Sequence, residues 1–213
     1  MNAPALRALT PTEVVMALGQ VPGWRLQGDG QDVVIEPRKL WPTGGPRKGK
    51  ISACSEGRAL GFADDPGWVA ELQALRTAAP GDVPAELLAG AVATLGRWAK
   101  RWPARPVCVV PLPAPDMASN RRVAEHIAQK GRLPFHDVFS WTGGPAPDDA
   151  ASTPVVAHLE SAIRLAADAS LPAGPVLLVA TQVRTRWAAT VAAALLREQG
   201  APLVLVLALH LQP

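Results

Sequence analysis

The sequence predicts an α/β protein, a parallel sheet flanked by helices, with a small α+β subdomain at its N-terminus. Three observations carry that expectation. The runs Val107–Val110, Val176–Val179 and Leu203–Leu209 are apolar without alternation, as expected of central strands with both faces covered. Helix-compatible segments alternate with them, and such alternation points to parallel strands joined by crossover helices. In Pro175–Thr190 an apolar strand enters a short polar turn and a helix opens at Trp187, an arrangement that turns backbone N–H groups toward anions.

Taken in order, residues 1–10 show no periodicity. Thr10-Pro-Thr-Glu13 combines an N-cap, Pro at the first helical position and an acid in the first turn, so a short helix is expected to about Leu18, ended by Gly19. Val21–Trp24 reads as a turn, and Val33–Ile35 as a short strand before Pro37. Trp68–Thr77 and Pro84 to about Lys100 suit helices; in the second, Leu87, Leu88, Ala91, Val92 and Leu95 form an apolar stripe at helical spacing. After the strand Val107–Val110 comes the turn Pro111–Pro115, then a helix from Ser119 or Asn120 to Lys130 that stops at Gly131. Phe135–Trp141 reads as a strand, Thr142 to about Pro154 as a mobile polar loop, and Val155 to about Asp168 as a helix. The strand Pro175–Ala180, the helix Trp187–Gln199 and the strand Leu203–Leu209 complete the chain. This divides it into a small N-terminal subdomain with a basic segment (1–50), a helical connector (51–105) and an α/β core (106–213).

The composition fits a globular protein: 48% of the 213 residues are hydrophobic and 18% charged, which excludes global disorder. The net charge of +3 is too small for a nucleic-acid wrapper, but the positive charge is concentrated. Arg38, Lys39, Arg47, Lys48 and Lys50 lie with Trp41 in a stretch without an acid. Arg97, Lys100, Arg101 and Arg105 lie with Trp98 and Trp102 in another, from Leu87 to Pro115. Such patches favour phosphate-bearing partners or simply form solvated faces. The two Trp read either as a hydrophobic seal or as a stacking platform for unpaired bases. Two cysteines, Cys54 and Cys108, cannot make a disulfide framework or a zinc site, so no metal or cofactor is expected. No apolar run approaches ~18 residues and no signal peptide opens the chain, so a cytoplasmic protein without a membrane partner is expected, nucleoid-associated if it binds DNA.

Pro175–Thr190 resembles the ribose-phosphate loop of type I phosphoribosyltransferases: four apolar residues, two acids, a few residues, then Thr-Gly and Thr or Ser. The apolar strand and Thr185 match. The paired acids are replaced by Ala180 and Thr181, a further common acid by Arg184, the Gly by Arg186 and the last hydroxyl by Ala188. The resemblance widens through Pro37–Gly44, Arg47–Ile51, Gly57–Leu60, Asp65–Trp68 and the C-terminal half. There the chain is similar to the phosphoribosyltransferase-like domain appended to actinobacterial-type RecQ-family DNA helicases. The helicase motor motifs and zinc cysteines of those bacterial proteins have no counterpart here. The resemblance implies a type I phosphoribosyltransferase-like, Rossmann-like sheet. It also implies a pseudoenzyme, since the lost acids hold ribose hydroxyls and place Mg²⁺ in a working loop.

Arg184, Thr185 and Arg186 at a helix N-terminus are candidates for anion binding, with solvation of the two arginines as the alternative. Asn120 and Arg121 lie where related phosphoribosyltransferases carry an Asn and an Arg that meets pyrophosphate; an N-cap followed by exposed charge is the alternative. Asp148 and Asp149 fall in the loop that forms the hood over the base in that family. The four histidines show no partner spacing, and no catalytic constellation is expected. The function expected is that of a DNA-associated accessory or interaction module linked to RecQ-type helicases and DNA repair. Its partners would be DNA, through the basic patches, and a helicase or other repair protein, with self-association left open. The alternatives are an active phosphoribosyltransferase or nucleotide sensor with an unusual loop, and a protein-docking scaffold.

Overall fold

The computed structural model describes residues 32–54, 56–62, 67–147 and 150–212. The helix expected at Thr10–Leu18, the turn at Val21–Trp24 and the pair Asp148 and Asp149 lie outside them.

The described chain is an α/β structure compatible with a Rossmann-like fold. Its elements are β1 (Val33–Ile35), β2 (Gly57–Phe62), α1 (Val69–Thr77), α2 (Ala85–Trp98), β3 (Cys108–Pro111), α3 (Met117–Gly131), β4 (Phe139–Trp141), α4 (Ser152–Ala162), β5 (Ile163–Leu165), β6 (Val176–Val183), α5 (Trp187–Glu198) and β7 (Val204–Leu211). Five strands form one sheet in the order β1-β2-β7-β6-β3. β2, β7, β6 and β3 run parallel, with Arg58 opposite Leu207, Val176 opposite Val204 and Cys108 opposite Val176.

The period-2 geometry of β6 and β7 sorts their side chains into two layers. Val176, Leu178, Ala180, Val204, Val206 and Ala208 face α4 and α5. Leu177, Val179, Leu205, Leu207 and Leu209 face α1, α2 and α3. All of these except Val206 and Ala180 are fully enclosed, and those two are 2% and 1% exposed. Each such Leu or Val contributes about 1.5–3 kcal/mol through removal from water.

The structure corrects four expectations. The sheet is mixed, because β1 pairs antiparallel with β2. β2 itself joins the sheet, although Gly57-Arg-Ala-Leu-Gly-Phe has little strand character of its own. Its Arg58 is buried, its guanidinium paired with Glu56 and lying 5.6 Å from the centre of the Trp98 ring, so the charge is covered without disrupting the strand. β3 is an outer strand of the sheet rather than a central one. It stays buried because residues 134–136 supply its outer side, Val109 N donating to Pro134 O and His136 N to Val109 O at 2.9 Å each. Finally, the helix after the polar loop starts at Ser152 and ends at Ala162, and the chain turns into β5. β5 pairs antiparallel with β4, Phe139 opposite Leu165, forming a separate two-stranded ribbon.

Close packing also explains one helical glycine. A Cβ at Gly90 of α2 would lie 2.5 Å from the Trp68 ring and 2.9 Å from Leu60, so only glycine lets the helix approach β2 so closely.

Leu178, wholly buried on the central strand β6, is the sharpest probe of this arrangement. Leu178→Asp places a carboxylate between two apolar layers, a loss of more than about 4 kcal/mol. The variant is expected to show no folded baseline or a strongly lowered Tm by circular dichroism; a parental Tm would contradict the topology.

Candidate functional site

Adjacent parallel strands β3 and β6 send the chain to opposite faces. β3 continues through Leu112–Asp116 into α3, and β6 through Arg184–Arg186 into α5. Where neighbouring connections diverge in this way, a crevice opens beyond the carboxyl ends of the strands, and open α/β sheets bind ligands there. A cavity of about 420 Å³ occupies this place. Its walls come from Leu112–Pro115, from Val183–Arg186, from Ala188 and Ala189, and from Trp141 and Pro145–Pro147 beyond the β4–β5 ribbon; none of its described lining residues is a carboxylate.

The loop after β6 is held from behind. Arg38 donates from Nε and Nη2 to the Thr185 carbonyl at 3.1 and 2.7 Å, and its guanidinium lies 4.8 Å from the centre of the Trp187 ring. Trp41 also stacks on that indole, ring centres 6.0 Å apart and 20° from parallel. Arg186 caps α5 in the left-handed conformation, φ +66°, the backbone that glycine adopts freely and that costs another residue about 1 kcal/mol or more. Arg186 Nη1 donates to the Glu36 carbonyl at 3.4 Å. Burial, and then the charge of Arg186, depress the pKa of Arg38, and the two guanidinium groups bring positive potential to this mouth. It adds to that of the α5 N-terminus, which has no side-chain cap.

Asn120 is built into the protein rather than into the cavity. Its Nδ2 donates to Leu112 O at 2.6 Å, and its Oδ1 accepts from Thr181 N at 2.7 Å and Thr181 Oγ1 at 2.8 Å. The side chain, 1% exposed, thus ties the end of β3 to β6. Asp116, not Asn120, caps α3, accepting from Ser119 N at 3.1 Å, because the helix begins at Met117, ahead of the Ser119 or Asn120 that its sequence suggests. Arg121 forms an ion pair with Asp137 at 2.5 Å.

The two basic clusters do not meet. Residues 39–51 form a hairpin, Trp41 N donating to Gly49 O at 3.0 Å and Ile51 N to Lys39 O at 2.9 Å, which packs on the α4–α5 side. Arg47 pairs with Glu160 of α4 and, at 2.5 Å, with Glu198 of α5, and lies over Trp41. Lys39, Lys48 and Lys50 are exposed. Arg97, Lys100, Arg101 and Arg105 belong to the opposite side, where Trp98 and Trp102 pack with α2 and α3. Arg97 pairs with Asp32; Lys100, Arg101 and Arg105 are exposed and make no ion pair among the described residues. Trp98 is 3% exposed and meets Trp102 edge-on, ring centres 5.8 Å apart, which is the geometry of a seal.

One further cavity had no signal in the sequence. About 450 Å³ lies on the α1 side of the same sheet edge, lined by Arg76, Asp116, Thr181 and the buried His210 among others. His210 sits in an apolar run, with no spacing to mark it. Among the described residues no group of His, Cys, Asp and Glu has metal-binding arrangement, and no helix is long and apolar enough to cross a membrane. Burial pushes the Cys54 and Cys108 thiols up to about 11, so both stay protonated at neutral pH. The chain matches no protein-family model, no curated protein and no solved structure.

Asn120→Ala removes the donor to Leu112 and leaves Thr181 N without its acceptor. The expected loss is about 2 kcal/mol, or about 4–8 °C in Tm for a chain of this length. Arg184→Ala, at an exposed position, is expected to leave Tm nearly unchanged. Urea denaturation of the two variants compares them, and equal midpoints would deny Asn120 its tying role.

Proposed function

We propose that the chain is a catalytically inert, type I phosphoribosyltransferase-like module that engages phosphate groups of DNA at the carboxyl edge of its sheet. The observation that carries the reading is the mouth of the crevice. Arg38, Arg184 and Arg186 line one hollow at the open N-terminus of α5, which Glu36 also lines, and Arg184 and Arg186 continue into the neighbouring cavity, whose described lining holds no carboxylate. Arg38 and Arg184–Arg186 therefore supply one anion surface. Cooperation between the two basic clusters has no support in the fold, and the number of phosphates reached at once is about three, giving a log K against log salt slope of about −3. Among the described residues nothing at the edge presents a helix suited to the major groove, so binding is weakly selective for sequence. DNA as the polyanion, and service beside a RecQ-type helicase in repair, rest on the resemblance of the sequence to the helicase-appended domain.

Inertness follows from Ala180 and Thr181. Ala180 is buried on β6 and Thr181 spends its hydroxyl on Asn120, so neither offers an oxygen anion to ribose or Mg²⁺. Calorimetry with phosphoribosyl pyrophosphate is expected to show no micromolar binding that requires Mg²⁺, and incubation with common bases no phosphoribosyl transfer. A second reading, a phosphorylated small molecule held in the crevice without metal, is favoured by the cavity of about 420 Å³.

Fluorescence anisotropy with labelled single- and double-stranded oligonucleotides, from about 50 to 200 mM salt, tests the DNA reading. Arg184→Glu is expected to weaken binding about tenfold at the lowest salt while Tm stays at the parental value. Arg47→Glu, by contrast, is expected to lower Tm because two carboxylates lose their partner. A folded protein that binds neither oligonucleotide at low salt sinks the reading; a mononucleotide that binds while oligonucleotides do not would move the function to the small-molecule alternative.

A further inference from the structure

We propose that the groove between α2 and α3 docks an acidic amphipathic peptide of a partner protein. The groove lies on the side of the sheet opposite the α5 loop, and the proposal does not rest on the DNA reading. Val92, Leu95, Ala99, Trp102, Ile127 and Leu133 line it around a cavity of about 220 Å³, room for a single bulky side chain. Among the described residues no carboxylate lines it, and Lys130 does. Lys100 follows one helical turn after Gly96, Arg101 precedes Trp102, and Arg132 stands between the lining residues Gly131 and Leu133. These four cations are exposed and make no ion pair among the described residues. On α3, His126 is held below the ordinary imidazole value by burial and by the charges of Lys130 and Arg122.

Gly96 is the second, independent observation. Glycine inside a helix costs about 1 kcal/mol relative to alanine, and the chain carries two in α2. Gly90 is accounted for by the Trp68 ring at 2.5 Å from where its Cβ would stand. At Gly96 a Cβ would meet nothing among the described residues within 4 Å, and the residue lines the groove. Internal packing gives no reason for a glycine there; an occupant of the groove does, because any side chain at that position would project into its space.

Shape and charge together choose the occupant. An apolar cavity with a cationic rim suits a helix or short segment that inserts one Leu- or Phe-sized anchor and lays carboxylates on Lys100, Arg101, Lys130 and Arg132. A nucleic acid would use the rim but not the floor. The aromatic pair offers it no open platform, since Trp98 is buried and Trp102 stands edge-on to it at 81°.

The test uses the full chain and three labelled probes. These are a short designed peptide with Leu and Phe at helical spacing and Asp and Glu on its other face, the same peptide with Lys for each acid, and a single-stranded oligonucleotide. Anisotropy is expected to show saturable binding of the acidic peptide and none of the basic one. Gly96→Met, which fills the groove, is expected to lower peptide affinity about tenfold or more at an unchanged or raised Tm. Arg184→Glu is expected to leave peptide binding intact, which separates this groove from the DNA surface. Should Gly96→Met lower Tm, the surface pair Lys100→Glu with Lys130→Glu decides, with the same tenfold loss expected. No binding of the acidic peptide by the parent, or equal binding by the filled or charge-reversed variants, overturns the proposal. So does loss of oligonucleotide rather than peptide binding on filling, which would assign the groove to nucleic acid.

Discussion

Strands β6 and β7 have no face left for water. From Val176 to Ala180 and from Val204 to Ala208, no residue is more than 2% exposed. Strands of this kind cannot rest on a single layer of helices, because half of their side chains would meet solvent at about 25 cal/mol per Å². The chain must therefore cover both sides, with α4 and α5 on one and α1, α2 and α3 on the other. Every connection leaving the carboxyl edge has to choose a side, and the neighbours β3 and β6 choose differently. The crevice is thus a by-product of double-sided burial, present before any residue in it is selected for chemistry.

That constraint was also the part of the fold most legible in sequence. Val176–Val179 and Leu203–Leu209 announce themselves because an unbroken apolar run has no soluble alternative to a buried strand. β2 does not, since Gly57, Arg58 and Gly61 are poor strand formers, and its place comes from pairing with β7, nearly 150 residues later in the chain (Arg58 opposite Leu207). The turn into β5 escaped for a related reason. Ile163-Arg-Leu165 continues a helical pattern as well as a strand pattern, and only Phe139–Trp141 across the ribbon decides between them. At the site, strand, turn and helix located the Arg184–Arg186 loop. The support for that loop was hidden, because Arg38 reaches Thr185 across 147 positions and neither residue carries a local mark of the other.

The distribution of charge teaches a similar lesson. A stretch without acids looks uniformly basic along the chain, yet carboxylates from elsewhere reach into it. Glu160 and Glu198 neutralise Arg47, and Asp32 neutralises Arg97, so two of the nine cations in the two stretches serve cohesion. Arg38 serves it differently, through a carbonyl and an indole face rather than through an acid, and so keeps its field at the crevice mouth. What remains for partners is divided between two sides of the sheet.

The hydrogen bonds of Asn120 bear on how the crevice can change over generations. Position 181 lies against the amide oxygen of Asn120, which accepts from Thr181 Oγ1 and Thr181 N. An aspartate introduced there brings a carboxylate against that oxygen. The amide must then turn over to offer Nδ2, and in doing so it withdraws its donor from Leu112 O. Repulsion in one orientation and an orphaned carbonyl in the other leave no comfortable single step. Positions 120 and 181 are bound to move as a pair, and the present state behaves as a ratchet: easily held, and awkward to leave one substitution at a time.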